Sequence, residues 1–169
     1  MATGTLVSEK EYLHTAYEPD CEFEDGVLIE RNVGTVDHSS LQAALAAYFF
    51  NRRKTWNLHV MLEVRVRARA GKYLIPDLCV VEGPKPSGQV LETPPFLWIE
   101  ILSPEDRPLR VNRKVQAVLE MGVPYVWVID PETLESELHT GDKRMTLEDG
   151  VLRIPGTPIE VPLTGIFED

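Results

Sequence analysis

Two short apolar runs in the middle of the chain constrain the fold more than any other feature. Residues 75–81 and 95–102 are rich in Val, Ile, Leu and aromatic side chains, which is typical of buried strands. The segment 82–94 between them carries two glycines and three prolines, a composition that ends a strand and favours a loop. We therefore predict two antiparallel strands joined by a long loop.

The register of this pair brings two acids together. If Val81 lies opposite Phe96, the same count places Asp77 opposite Glu100. Opposed side chains on one face have Cβ atoms about 5 Å apart. Two carboxylates that close in apolar surroundings need a proton or a cation, and Mg²⁺ prefers such oxygen ligands. The plain alternative is that Asp77 belongs to a turn and Glu100 faces solvent.

Length and composition predict one globular domain. The 169 residues are 43% hydrophobic and 26% charged, and we expect a single domain over 1–169, with a core at about 20–131 and a β-rich extension at about 132–169. No apolar stretch approaches the roughly 20 residues of a membrane span, and the N-terminus has no signal-peptide pattern. We expect a cytoplasmic protein with no membrane partner. Cys21 and Cys79 are expected to be small core residues rather than a disulfide.

The positive charges are concentrated in two basic islands. Net charge is −10, yet seven of the 17 Lys and Arg lie in residues 52–72 and four lie in residues 107–114. Such islands on an acidic chain suit a polyanion bound in a groove. They suit self-association against acidic segments equally well, so the pattern leaves a homodimer open.

The N-terminal third predicts a helix, a hairpin and a second helix. Ser8 to Glu11 has the form of a capping box and begins a helix to about residue 17. Asp25-Gly26 predicts a hairpin turn between strands 21–23 and 27–30, so one of Glu22 or Glu24 can point inward. Asp37 is predicted to cap a helix over 38–51.

The helix over 38–51 has one apolar face, and His38 lies on it at the first turn. A histidine in that position is either a packed, hydrogen-bonded residue or a functional one. The stretch 60–69 then alternates apolar and polar residues, which predicts one half-buried strand whose outer face carries Arg65, Arg67 and Arg69.

After the second apolar run, a helix is predicted from Pro108 to about Met121, ended by Gly122 and followed by a strand over 123–130. A strand, helix and strand of this length make a right-handed crossover, so the two strands should be parallel. The helix begins just past the end of the strand that carries Glu100. Lys114, on one flank of this helix, can therefore present its ammonium near the acids.

These residues resemble a known family. Asp77, Glu100 and a downstream lysine resemble the PD-(D/E)XK nuclease superfamily. More closely, the chain resembles the Uma-two family of bacterial restriction-endonuclease-like proteins. The resemblance rests on Pro76-Asp77-Leu78, Glu100-Ile101-Leu102-Ser103-Pro104, Lys114, Gly122-Val123-Pro124 and Trp127-Val128-Ile129-Asp130-Pro131, with Glu22, Asp25-Gly26 and His38 upstream.

The chain departs from the pattern at several positions. The superfamily places a lysine two residues after the second acid, where this chain has Leu102, so the lysine's role moves to Lys114. Arg110 stands where the family usually has Asp, and Val118 where it has Tyr. Tyr125-Val126-Trp127 replaces the usual Glu-Tyr-Trp.

The resemblance implies an α/β fold: a restriction-endonuclease-like core with a central mixed β-sheet flanked by helices, and a β-rich C-terminal extension. It also implies Mg²⁺-dependent hydrolysis of phosphodiester bonds in nucleic acid, with DNA as the expected substrate and Mn²⁺ as a possible substitute. Asp77, Glu100 and the backbone carbonyl of Ile101 would bind the metal. Lys114 would orient the attacking water and stabilise transition-state charge.

Two further residues are candidates. Glu22 would add a metal contact or act as a general base, and His38 would contact the phosphate or support a metal ligand. The alternative function is a catalytically silent, dimeric nucleic-acid-binding or regulatory protein on the same fold, which the acidic balance and the lack of a known base-reading motif favour.

Overall fold

The computed structural model describes residues 6–168, which form three helices and twelve strands. The helices are α1 (Glu9–Leu13), α2 (Val36–Arg52) and α3 (Pro108–Glu120). The strands are β1 (Cys21–Glu24), β2 (Val27–Glu30), β3 (Leu58–Leu62), β4 (Val66–Arg69), β5 (Lys72–Leu74), β6 (Leu78–Glu82), β7 (Leu97–Ile101), β8 (Tyr125–Ile129), β9 (Ser136–His139), β10 (Arg144–Thr146), β11 (Val151–Arg153) and β12 (Glu160–Pro162).

A six-stranded mixed sheet with the order β10-β9-β8-β7-β6-β3 forms the centre of the fold. Strands β7 and β8 are parallel and are connected through α3, which confirms the predicted crossover. Strands β6 and β7 pair antiparallel, with Leu78 opposite Ile99 and Val80 opposite Leu97. This is the predicted register, and one step further it sets Asp77 opposite Glu100.

Helices cover both faces of the central sheet. Leu41, Leu45 and Phe49 of α2 pack in one buried cluster with Leu97 and Trp127. The alternate strand residues, among them Trp98 and Val126, pack in a second cluster with Val115 and Val118 of α3. Because neighbouring residues of a strand face opposite sides, β7 and β8 are buried on both faces and read as continuous apolar runs. The predicted α/β architecture is confirmed.

A second sheet and the C-terminal strands complete the fold. The smaller sheet has the order β2-β1-β5-β4, and its first hairpin turns at Asp25 and Gly26, whose φ angles of 48° and 93° are both left-handed, as predicted for Asp-Gly. Strands β9 and β10 extend the central sheet. The β11–β12 hairpin adds Leu152 and Val161 to the cluster on the α2 side.

The single strand predicted over 60–69 is wrong. Residues 58–62 and 66–69 form β3 and β4, which belong to different sheets. The chain turns between them at Glu63, where φ is 50°. Alternation of apolar and polar residues continues across the turn because both strands are half-buried, so the pattern alone does not show the break.

Smaller differences lie at element ends. Ser8 caps α1 by accepting a hydrogen bond from Glu11 N, as predicted, but the helix ends at Leu13. Thr35, rather than Asp37, caps α2, since its hydroxyl accepts from His38 N and Asp37 lies in the first turn. Strand β6 begins at Leu78 rather than residue 75.

Cys21 and Cys79 are free and buried, as expected. Within residues 6–168, no helix is long and apolar enough to cross a membrane.

Candidate active site

Asp77 directly precedes β6, and its side chain forms a hydrogen bond to the neighbouring strand β7. Its Oδ2 accepts a hydrogen bond of 2.7 Å from the backbone N–H of Ile101 on β7. Its own carbonyl accepts a bond of 2.9 Å from Gln42 on α2. The side chain is nearly fully buried, so both neighbouring elements fix the carboxylate at the edge of the sheet.

The other oxygen of Asp77 binds cationic groups. Nη2 of Arg31 lies 2.7 Å from Oδ1, and Nε2 of His38 lies 3.3 Å from the same atom. Burial alone would raise the pKa of Asp77, but His38, the Ile101 N–H and Lys114 outweigh it and hold that pKa below its ordinary value. The hydrogen bond to Asp77 correspondingly raises the pKa of His38.

Lys114 of α3 joins two of the predicted acids. Its Nζ lies 2.7 Å from Oε1 of Glu22 and 2.7 Å from Oε1 of Glu100, and it donates to the carbonyl of Ile75 at 2.9 Å. Burial would lower the pKa of this ammonium, but the two carboxylates overcome that effect and raise the pKa, so Lys114 is charged. Three acceptors use all three of its N–H donors.

Glu22 is the inward-facing residue of the first hairpin. Its Oε1 also accepts from the backbone N–H of Ile75 at 2.9 Å, and the residue is buried. Glu24, two residues later on β1, ion-pairs instead with Lys72 and Arg69 at the surface. The sequence left the choice between the two acids open, and the contacts to Ile75 and Lys114 select Glu22.

Glu100 carries the most perturbed carboxyl group of the site. Its Oε1 accepts from the indole N–H of Trp98 at 2.6 Å as well as from Lys114. Burial, with the charges of Asp77 and Glu22, raises the pKa of Glu100 to about 7 against the opposing pull of Lys114. A carboxyl group with a pKa near 7 can gain or lose a proton at neutral pH.

All six residues proposed from the sequence line one small cleft of about 80 Å³ between α3, β7 and the β2–α2 loop. They are Glu22, His38, Asp77, Glu100, Ile101 and Lys114. Arg31, which was not among the residues proposed from the sequence, lines the same cleft and contacts Asp77 across 46 positions of the chain. No local pattern marks Arg31, because it follows a strand in a loop and its partner is distant in sequence.

The basic islands do not meet at this cleft. Arg65 donates to the carbonyls of Tyr12 and Thr15, and Arg67 and Arg69 pair with acidic side chains near the first hairpin and the 82–94 loop. Arg110 of the second island lines the cleft, whereas Arg65, Arg67 and Arg69 do not. The two islands therefore do not line a common groove at this cleft, as a polyanion bound between them would require.

The donor set fits a hard divalent cation. Ile101 N donates to Asp77, and because the N–H and C=O of one strand residue point to the same side, the Ile101 carbonyl also faces Asp77. Two carboxylates and a carbonyl match Mg²⁺, which completes its shell with water and substrate oxygens. Residues 6–168 contain no cluster of three or more His, Cys, Asp or Glu suited to a metal, so a site here would depend on this smaller ligand set.

Comparison with known protein families identifies the chain. A family model named Uma2 and described as "Putative restriction endonuclease" matches residues 10–163. The chain belongs to the Uma2 family. The match spans the central sheet, α3 and both strands that carry the acids, and it agrees with the Uma-two resemblance of the sequence. A comparison with curated proteins finds no match.

A solved structure has the same fold as this Uma2 chain. A protein of Anabaena variabilis, described as a putative nuclease belonging to DUF820, superposes with a TM-score of 0.82 at 20% identity, over 96% of this chain and 98% of that chain. A cryoEM structure of a DrdV–DNA complex aligns at 21% identity over 69% of this chain and 11% of that chain. Its TM-score of 0.44 is too low to carry a structural argument.

Proposed function

We propose that the protein is a Mg²⁺-dependent nuclease that hydrolyses phosphodiester bonds, with DNA as the substrate. Membership of the Uma2 family supports the reaction class. The observation that carries the proposal is the position of Lys114, whose Nζ lies 2.7 Å from both Glu22 and Glu100 in the cleft that also contains Asp77. Buried carboxylates with a charged lysine between them are a costly arrangement for a purely structural role.

Each residue has a role that its contacts support. Asp77, Glu100 and the Ile101 carbonyl would hold Mg²⁺ or Mn²⁺. When bound, the ion supplies a Lewis acid for a phosphoryl oxygen and lowers the pKa of an attacking water. Lys114 would donate to that water or to the phosphoryl oxygen and stabilise the developing charge. To do so it must release one of its three present acceptors.

Glu22 and His38 would act indirectly, Glu22 through Lys114 and His38 through Asp77. Glu22 holds Lys114 in the cleft and is near enough to accept a proton from a water that Lys114 orients. His38 would keep Asp77 ionised and correctly turned through the 3.3 Å contact. We assign both as supporting residues of the site.

One observation favours the silent alternative. Arg31 and His38 already occupy Oδ1 of Asp77, and the Ile101 N–H occupies Oδ2. A site in which Arg31 and His38 already balance the charge of Asp77 is compatible with a protein that binds nucleic acid without cleaving it. The two proposals differ in whether a divalent cation binds at Asp77.

A cleavage assay with a matched variant tests the proposal. Supercoiled plasmid and labelled single- and double-stranded oligonucleotides are incubated with Mg²⁺, Mn²⁺ or EDTA. We expect cation-dependent cleavage that Asp77→Asn reduces by at least roughly 100-fold. Glu137→Gln is the control, because Glu137 also accepts from an arginine and a histidine (Arg144 and His139) but lies outside the cleft. Cleavage by Asp77→Asn at the parental rate, or no thermal shift with either cation, contradicts the metal-dependent proposal.

A further inference from the structure

We propose that the exposed flank of α3 that carries Arg107, Arg110 and Arg113 binds the phosphate backbone of nucleic acid and leads it to the cleft. We call these three residues the arginine flank. The inference rests on the proposed function only for the choice of partner, because binding along the flank requires neither a metal ion nor cleavage.

The arginine flank is continuous with the candidate active site. Arg110 lines the cleft together with Lys114. At 3.6 residues per turn, Arg110 and Arg113 lie about 40° and 100° around the helix from Lys114, in the same direction. Arg107 stands at the N-terminus of the helix as its capping residue. All three arginines are exposed, so positive charge extends from the buried ammonium outward to solvent.

The flank is set apart from the other basic island by its lack of partners. Arg65, Arg67 and Arg69 each pair with a carboxylate of the protein itself, and Arg65 also donates to the carbonyl of Tyr12. Within residues 6–168, Arg107 and Arg113 form no ion pair, and Arg110 donates only to the carbonyl of Glu30 at 3.2 Å. Arginine is suited to phosphate because its planar fork donates two hydrogen bonds at once.

Helix stability does not explain these charges. The first turn of α3 has no acidic residue, and no side chain caps the helix. Arg107 and Arg110 lie at the N-terminal end of α3, where positive side chains oppose the helix dipole. A bound phosphate removes that penalty, because it neutralises the arginines and also interacts favourably with the positive end of the helix.

The opposite side of α3 excludes a phosphate backbone. Beyond Val111 the helix borders a groove lined by acidic side chains and one cation, Arg144. The acids are Asp37, Asp106, Asp130, Glu132, Glu135 and Glu137. A polyanion approaching the cleft is therefore repelled on this side and attracted on the other. The charge around α3 therefore favours the approach of a phosphate backbone to the cleft along the arginine flank.

Nucleic acid is the partner that this asymmetry favours. A second copy of this acidic chain would also be attracted to the arginine flank, but it would present scattered carboxylates rather than a repeating row of phosphates. The flank follows a helix edge that ends at a cleft with candidate phosphoryl-transfer residues. Self-association is the alternative outcome in the test.

The test compares two variants of equal net charge. Binding of labelled single- and double-stranded oligonucleotides is measured by fluorescence anisotropy in EDTA across a range of salt concentrations. The first variant is Arg107→Gln/Arg110→Gln/Arg113→Gln. The control is Arg67→Gln/Arg144→Gln/Arg153→Gln, which removes three arginines that pair with carboxylates outside the flank.

We expect the flank variant to lower the slope of log K against log salt by about 2 to 3, because each lost phosphate contact removes roughly 0.7 to 0.9. The control should change the slope by less than about 1. If the triple variant folds poorly, Arg113→Gln alone should still lower the slope by nearly 1, since Arg113 is exposed and α3 keeps its buried residues.

Three results overturn the inference: equal losses in both triple variants, no binding by the parent at low salt, or a smaller oligomer in the flank variant without loss of DNA affinity. The outcome is separable from the proposed function. If the protein binds DNA through the flank but never cleaves it, the inference on the flank is supported and the proposed nuclease function is contradicted. If the protein cleaves DNA and the flank variant cleaves it equally well, the nuclease function is supported and the inference on the flank is contradicted.

Discussion

The guanidinium of Arg31 lies 2.7 Å from Oδ1 of Asp77, the oxygen that His38 also contacts. Burial would lower the pKa of Arg31, but Asp77, Glu100, Glu63 and Glu22 together raise it, so the side chain is always charged. Arg31 therefore acts as an internal counter-ion for the acids. Arg31 contacts Asp77 as Lys114 contacts Glu22 and Glu100, so each of these three acids has a cationic group at 2.7 Å.

Removing the charge of Arg31 should strengthen metal binding and lower the thermal stability of the metal-free protein. Arg31→Gln leaves the cleft with one positive charge fewer; unit charges about 4 Å apart interact by about 4 kcal/mol at an effective dielectric near 20, so we expect the affinity for a cation to rise by at least about tenfold. We expect a lower melting temperature in EDTA and a larger shift with Mn²⁺. Arg144→Gln, which disrupts a surface pair with Glu137, is the control for loss of an arginine. Weaker Mn²⁺ binding by Arg31→Gln would show that Arg31 supports the metal site instead.

Lys114→Met should abolish cleavage and also destabilise the metal-free protein. The substitution keeps the methylenes that pack on the sheet but leaves Glu22 and Glu100 buried without their cation. Breaking a buried pair in this way costs about 3–5 kcal/mol. Adding Glu22→Gln should restore part of the stability, measured by urea unfolding in EDTA, without restoring cleavage.

Lys72→Met is the matched control for that variant. Lys72 is equally shielded, with 19% of its side chain exposed against 21% for Lys114, and it also pairs with a glutamate, Glu24 at 2.9 Å. It lies outside the cleft, so its removal should leave cleavage at the parental level. If Lys114→Met cleaves DNA as the parent does, the catalytic role of Lys114 is wrong.

The N-terminus of α2 gives a prediction on stability. Thr35→Ala removes the hydroxyl that accepts from His38 N and should lower the free energy of unfolding by about 1 kcal/mol. Asp37→Asn should cost less than about 0.5 kcal/mol, because Asp37 only adds a charge to the first turn. Equal losses in chemical denaturation would mean that Asp37 contributes to the cap after all.

These cases show what the sequence could predict. The register of β6 and β7 follows from two apolar runs and a loop, because burial on both faces leaves few ways to pair them. The position of Lys114 follows from the helix period and the handedness of a crossover. Such features are local or depend on one strongly constrained connection, and both are correct in the structure.

What could not be predicted depends on contacts that are distant in sequence. Arg31 is found only when the loop after β2 is placed against Asp77. The division of residues 58–69 into β3 and β4 depends on pairing with β6 on one side and β5 on the other. Thr35 and Asp37 are both good capping residues, and the choice of Thr35 depends on where the chain enters the helix.

The raised pKa of Glu100 gives a pH dependence with a definite sign. Burial and the neighbouring acids raise this pKa to about 7, above the value near 4.3 expected in the unfolded chain. The folded state therefore binds the proton more tightly, so the stability that Glu100 contributes is fully present below about pH 4.3 and is lost as the pH rises through 7. The total change in the free energy of unfolding is at most about 4 kcal/mol. Glu100→Gln cannot ionise, so in EDTA its melting temperature relative to the parent should rise between pH 5 and pH 8.

Glu137→Gln, whose parent carboxyl has a pKa lowered by hydrogen bonds from Arg144, should show no such rise. A constant difference between Glu100→Gln and the parent over that range would mean that Glu100 is already ionised at pH 5, held so by Lys114.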